Sequence, residues 1–161
     1  MKKLDYECEL AVVLGRDARD VPAGQTRDYI FGYTILNDVS ARDVQTAHKQ
    51  WYFGKSLDGF TPIGPCIVTA DAFADYPPRL GIRSFVNGEK RQDSNTALQI
   101  FDIDHVIAEL SQGMTLKAGT IIATGTPAGV GMGMDPPQFL KPGDVVRCEI
   151  DGIGTLTNPV K

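Results

Sequence analysis

Apolar side chains recur at every second position through Tyr6, Cys8, Leu10 and Val12, with Glu7 and Glu9 set between them. A period of two is that of a strand, whose side chains alternate between faces. The pattern predicts a strand over Cys8 to Leu14 and puts Glu7 and Glu9 on one face, about 7 Å apart. Two carboxylates so placed repel each other, and lose hydration if covered, unless a cation sits between them. The pair therefore asks for a cation and a third ligand; a solvated strand face is the competing reading.

The same period, with β-branched enrichment, predicts further strands over Tyr33 to Leu36, Cys66 to Thr69, Gly81 to Val86, Thr120 to Thr124 and Val145 to Ile150. Asn87-Gly88 sits between two extended runs, and both residues tolerate positive φ, so a hairpin is expected there. The period changes to 3.6 twice. Over Ser40 to Trp51 the residues Ala41, Val44, His48 and Trp51 fall at helical spacing behind a Ser40-x-x-Asp43 capping pattern. Over "DIDHVIAELSQG" the stripe is Ile103, Val106, Ile107 and Leu110, with Asp102 as cap and Gly113 just past the end. His105 lies off that stripe, at a surface or half-buried position. "LKAGTII" and "LKPGDVV" share a turn-then-strand grammar, common where strands enter a barrel or roll.

Length and charge narrow the class. A chain of 161 residues suits one domain with a substantial core. No apolar run nears the roughly 20 residues of a membrane helix. The start "MKKLDYECEL" lacks the apolar stretch of a secretory signal, so a cytoplasmic location is expected. A net charge of −4 supplies no basic stripe for nucleic acid. Cys8, Cys66 and Cys148 are widely spaced and without a CxxC, which reads as small buried hydrophobes.

Candidate chemistry gathers in a few segments. Asp38, at a strand-to-helix junction in "GYTILNDVSARDVQ", offers the third carboxylate, or else a helix cap. Glu7, Glu9 and Asp38 together form a hard oxygen set suited to Mg²⁺ or Mn²⁺, whereas zinc prefers nitrogen or sulfur. Lys55, between Gly54 and Ser56, could face a substrate carboxylate or an enolate, or simply solvent. Arg42 and Gln45 lie one helical turn apart and could contact the same small acid. "ATGTPAGVGMGMDPP" fits neither phosphate-loop pattern, and Pro136-Pro137 forbids the helix such a loop needs. A tight loop bringing backbone amides and Thr126 to a ligand, or a plain turn, remains.

Together "DYECELAVVLG", "GYTILNDVSARDVQ", "HKQWYFGKSLDGFTPIGP", "VNGEKRQDSNT" and "ATGTPAGVGMGMDPPQFLKPGDVV" resemble, in order and over nearly the whole chain, the C-terminal catalytic domain of the fumarylacetoacetate hydrolase family. The resemblance implies an α+β fold, mainly β: a mixed β-roll or β-sandwich with a few short helices, usually a homodimer. It implies Mg²⁺ or Mn²⁺, with Ca²⁺ as a further candidate, held by Glu7, Glu9 and Asp38. Arg42, Gln45, Lys55 and Thr126 become substrate contacts, with Lys55 catalytic. The implied substrates are 2-oxo and 1,3-diketo acids. The implied reactions are acylpyruvate or fumarylpyruvate hydrolysis, oxaloacetate decarboxylation, and isomerisation of the 2-hydroxyhepta-2,4-diene-1,7-dioate type. Full-length relatives carry, before the Glu-x-Glu strand, a lid helix whose His and acidic partner activate water. The sequence starts six residues before Glu7, so that lid is expected to be absent. A non-catalytic module binding a metal or an oxo acid is the alternative of another class.

Overall fold

The computed structural model describes residues 2–161, with His48 by its backbone alone. The expected place of the His48 side chain on a helical stripe therefore lies outside the described residues. The strands in chain order are β1 (Leu4–Asp5), β2 (Cys8–Leu14), β3 (Ile30–Asn37), β4 (Ser40–Ala41), β5 (Ile63–Thr69), β6 (Gly81–Val86), β7 (Glu89–Asn95), β8 (Ile121–Ala123), β9 (Val145–Ile150) and β10 (Gly154–Pro159). The helices are α1 (Arg42–His48), α2 (Trp51–Lys55) and α3 (Ile103–Leu110).

Two four-stranded sheets, in the orders β5-β3-β2-β8 and β10-β9-β6-β7, carry the fold, and β1-β4 form a short ribbon beside them. Every pairing among these strands is antiparallel. The core lies between the sheets. Cys8, Leu10, Val12, Tyr33 and Ile35 come from the first sheet, and Ile82, Val146, Cys148 and Ile150 from the second. Ile103 and Ile107 of α3 join the same cluster. Tyr6, Cys8, Leu10 and Val12 are at most 1% exposed, and the opposite face of β2 is covered as well, so every residue of the strand is buried. Among the described residues no helix is long and apolar enough to cross a membrane.

Several elements depart from expectation. The helix expected over Ser40 to Trp51 is two helices, because Lys49 adopts a left-handed conformation (φ 54°) that breaks the ladder after His48. Ser40 belongs to β4 and caps nothing. Its hydroxyl donates to the Asp38 carbonyl, while Asp43 accepts from the backbone amides of Lys2 and Val44. The strand expected from Cys66 begins at Ile63, and the strand at Tyr33 extends to Ile30 and Asn37. Strand β10 is not among the expected strands, because Gly154, Asn158 and Pro159 dilute its apolar signal. Cys8 and Cys148 are buried as expected, but Cys66 is exposed, since it sits on β5 at an open sheet edge.

The Asn87-Gly88 turn joins β6 to β7 with φ 52° and 85°. The two echoing segments are structurally alike. Leu116 and Leu140 are each buried and each form an isolated bridge, Gly119 and Gly143 turn at positive φ, and a strand follows. Helix α3 forms with the expected cap, the Asp102 carboxylate accepting from the His105 amide at 2.8 Å, and with His105 exposed; of the expected stripe Ile103 and Ile107 are buried and Val106 half-buried, whereas Leu110 is exposed. Replacing this cap, Asp102→Ala, should cost about 1 kcal/mol of stability in a urea titration.

Candidate active site

The acidic residues converge. Oxygens of Glu7, Glu9 and Asp38 all lie within 4.8 Å of one another. Glu9 is on β2 and Glu7 just before it, so their side chains share the face opposite Cys8. Asp38 follows β3, and its backbone amide donates to the Glu7 carbonyl at 2.8 Å, which sets the third carboxylate beside the first two. Asp38 does not cap the following helix, whose N-cap position is Ala41.

Two cations meet the cluster. Lys55 Nζ lies 2.7 Å from Glu7 Oε2 and 2.5 Å from Asp38 Oδ2. Arg42 Nη2 lies 2.6 Å from Glu7 Oε1, its Nε donates to Asp5 Oδ2 at 3.0 Å, and its Nη1 donates to Gln45 Oε1 at 3.1 Å. Lys55 ends α2, and α2 can approach α1 only because residue 54 is glycine: a Cβ there would sit 2.8 Å from the backbone nitrogen of Gln45. Gln45 is buried, and with its oxygen taken by Arg42 its amide nitrogen has no hydrogen-bond partner among the described residues. Thr126 borders the site from the glycine-rich segment, its hydroxyl donating to the Cys8 carbonyl at 2.9 Å. All seven residues singled out in the sequence line one cavity of about 660 Å³, which Trp51, Val130 and Met132 also line.

Sequence reading missed three residues that hold this arrangement. Asp5, fully buried, accepts from the backbone amides of Tyr6, Gly131 and Met132 and from Arg42 Nε, so it ties the arginine to the glycine-rich segment. Asn37 Oδ1 accepts from the Glu7 amide at 3.0 Å. Gln92 of β7 accepts from the Cys8 amide at 3.1 Å. Asp5 stood inside the quoted "DYECEL" stretch, but nothing in the spacing told a buried hub from a surface acid.

The donor set can be tested against a metal ion by charge. Asp5, Glu7, Glu9 and Asp38 oppose only Arg42 and Lys55 within this contact network, which leaves two negative charges unmatched in a largely buried site. A divalent cation balances that excess, and the three converging carboxylates offer it hard oxygen ligands. Glu9 shows the strain of the imbalance. Among the described residues its carboxylate accepts from the Gly125 amide alone, at 2.8 Å, and burial, with Asp38 and Glu7 adding to it, pushes its carboxyl up to about 7.

The chain belongs to the fumarylacetoacetate hydrolase family. The description "Fumarylacetoacetate (FAA) hydrolase C-terminal" matches residues 1–161. A Bacillus subtilis relative named oxaloacetate tautomerase YisK is 50% identical over 158 residues, which cover 98% of this chain and 52% of that protein. The solved fumarylacetoacetate hydrolase of psychrophilic Exiguobacterium antarcticum superposes with a TM-score of 0.97 at 52% identity, covering 100% of this chain and 57% of the other. A 2-hydroxyhepta-2,4-diene-1,7-dioate isomerase from Mycobacterium marinum gives a TM-score of 0.88 at 46% identity, covering 99% of this chain and 59% of the other. The chain thus spans about half the length of the curated relatives it matches. The mainly β fold expected from the resemblance is the fold observed.

A carboxyl whose folded-state pKa is raised binds its proton more tightly in the folded than in the unfolded chain. It therefore lowers stability as pH rises from its ordinary value through about 7. In metal-free buffer, Glu9→Gln should remove that slope: its melting temperature should match the parent near pH 5 and exceed it near pH 8, by an amount equivalent to roughly 3 kcal/mol at most. Thermal unfolding across this pH range, in the presence of a chelator, checks the prediction.

Proposed function

We propose that the chain is the catalytic part of a divalent-cation-dependent enzyme acting on 2-oxo acids, and that its core chemistry is formation and protonation of an enolate. The observation that carries the reading is the unmatched double negative charge of the acidic cluster, set in a cavity wall beside Lys55. Glu7, Glu9 and Asp38 would hold Mg²⁺ or Mn²⁺. When bound, such an ion supplies Lewis-acid polarisation of the 2-oxo group and its carboxylate.

The chain's own residues supply the rest. Lys55 Nζ lies between Glu7 Oε2 and Asp38 Oδ2, and its positive charge would favour enolate charge developing next to them in a partly buried setting. Arg42 is nearly buried and committed to Asp5, Glu7 and Gln45, so it acts by fixing Glu7 and the Gln45 amide. The Gln45 amide nitrogen is the polar donor left for a substrate oxygen. Trp51, Val130 and Met132 add apolar lining to the cavity.

Enol–keto tautomerisation and double-bond isomerisation need only this set, because they move one proton between carbon and oxygen and consume no water. The names of the B. subtilis and M. marinum relatives, a tautomerase and an isomerase, support these two reactions as first choices. Carbon–carbon hydrolysis or decarboxylation of the same acids passes through the same enolate, and product analysis separates them.

The assay follows the ultraviolet absorbance of the enol forms of oxaloacetate and acetylpyruvate, with Mg²⁺ or with chelator. Turnover should require the ion. Lys55→Met should lower the rate at least about a hundredfold, as loss of a positioned proton donor does, while Mn²⁺ still binds. Turnover that persists in chelator, or an unchanged rate in Lys55→Met, would refute the reading. Gly54→Ala should act in the same direction by pushing α2 off α1, which raises KM and lowers kcat together without removing any polar group.

A further inference from the structure

Strand β8 pairs with β2 only from Ala11↔Ala123 to Val13↔Ile121. Past Ala123 one more backbone bond follows, from the Thr124 amide to the Leu10 carbonyl at 3.2 Å, and the Cys8 peptide lies beyond it with no strand peptide opposite on that side. Glu7 and Glu9 flank that residue. An exposed or unpaired peptide there would leave the two carboxylates on a loose strand end, with their spacing free to drift.

A side chain from the opposite sheet fills the gap. Gln92 of β7 is 1% exposed. Its Oε1 accepts from the Cys8 amide at 3.1 Å. Its Nε2 donates to Thr126 Oγ1 and to the Pro127 carbonyl, each at 2.8 Å. The Thr126 hydroxyl in turn donates to the Cys8 carbonyl at 2.9 Å. Donors and acceptors close into one circuit that admits a single orientation of the carboxamide: the Cys8 amide requires an acceptor and the Pro127 carbonyl a donor. The carboxamide thus stands in for the missing peptide of a neighbouring strand.

We propose that Gln92 is a positioning residue for the acidic site. It holds the Cys8 amide directly and the Cys8 carbonyl through Thr126, so it fixes both peptide planes that link Glu7 to Glu9. By holding Thr126 and Pro127 it also fixes Gly125, whose amide donates to the Glu9 carboxylate. One amide side chain therefore sets the spacing of two of the three converging carboxylates and the partner of one of them. Gln92 touches no atom of the cluster itself. Its action on an ion rests on the metal-binding reading above, whereas its action on the strand does not.

The test uses Gln92→Met, which keeps the side-chain volume and removes the hydrogen bonds, with Ile107→Val in α3 as a core variant remote from the site. Mn²⁺ binding is read by the electron paramagnetic resonance signal of the free ion, and amide hydrogen exchange is read in the metal-free protein. Gln92→Met should weaken Mn²⁺ binding at least about tenfold, as loss of an outer-shell partner does. It should also speed exchange at the amides of Cys8 and Gly125 but not at that of Val12. Ile107→Val should leave Mn²⁺ binding within about twofold even where the melting temperatures match. Unchanged exchange at Cys8 and Gly125 overturns the proposal whether or not an ion binds. Accelerated exchange with Mn²⁺ affinity within about twofold of the parent overturns its claim on the carboxylates. Absence of Mn²⁺ binding by the parent protein would instead sink the metal reading, leaving the exchange rates to decide the role of Gln92.

Discussion

Mutual repulsion among carboxylates is the constraint around which this structure is arranged. Four acidic side chains, Asp5, Glu7, Glu9 and Asp38, are drawn into one network with only Arg42 and Lys55 to offset them. Left alone, such a cluster would push its strands apart or take up protons, and the raised pKa of Glu9 shows the second response. The surrounding fold opposes the first. Glu7 is held through its backbone by Asn37, Glu9 through its carboxylate by Gly125, and Asp5 by three backbone amides. Stability is given up locally to keep this negative charge concentrated.

Both sheets contribute to that restraint. The carboxylates belong to the first sheet and the turn that follows β3, while Gln92 reaches across from the second. The glycine-rich segment closes the circuit between them. Packing of Cys8, Leu10 and Val12 against Cys148 and Ile150 thereby does more than bury apolar surface, because it brings β7 close enough for its amide to serve β2. The core and the site depend on the same sheet-to-sheet distance.

How much of this could be read along the chain varies with the range of the signal. The alternation through β2 is local, and it placed Glu7 and Glu9 on one face correctly. Asp38 and Lys55 were legible as polar residues at element ends, although their meeting with Glu7 is a tertiary fact that the quoted family resemblance anticipated and periodicity did not. The helix over Ser40 to Trp51 misled because its apolar spacing continues through Lys49, where the backbone turns left-handed to deliver α2 and Lys55 to the cluster. Asp5, Asn37 and Gln92 were illegible for a common reason: each is an ordinary polar residue whose importance lies in a partner 30 or more positions away. Strand β10 escaped because a Gly- and Pro-bearing edge strand carries little period-two contrast.

The glycine-rich segment shows how a rejected motif can still be right in its physics. It lacks the spacing of a phosphate loop, yet its amides do bind anions. Those of Gly125, Gly131 and Met132 donate to the carboxylates of Glu9 and Asp5. Its glycines answer to close approach: a Cβ on Gly129 would sit 2.1 Å from the Arg91 carbonyl oxygen, and one on Gly131 2.0 Å from that of Gln138. A phosphate loop presents its amides to a ligand that leaves. Here the anions are side chains of the same chain, so the loop's dipoles are spent on holding an acidic cluster together.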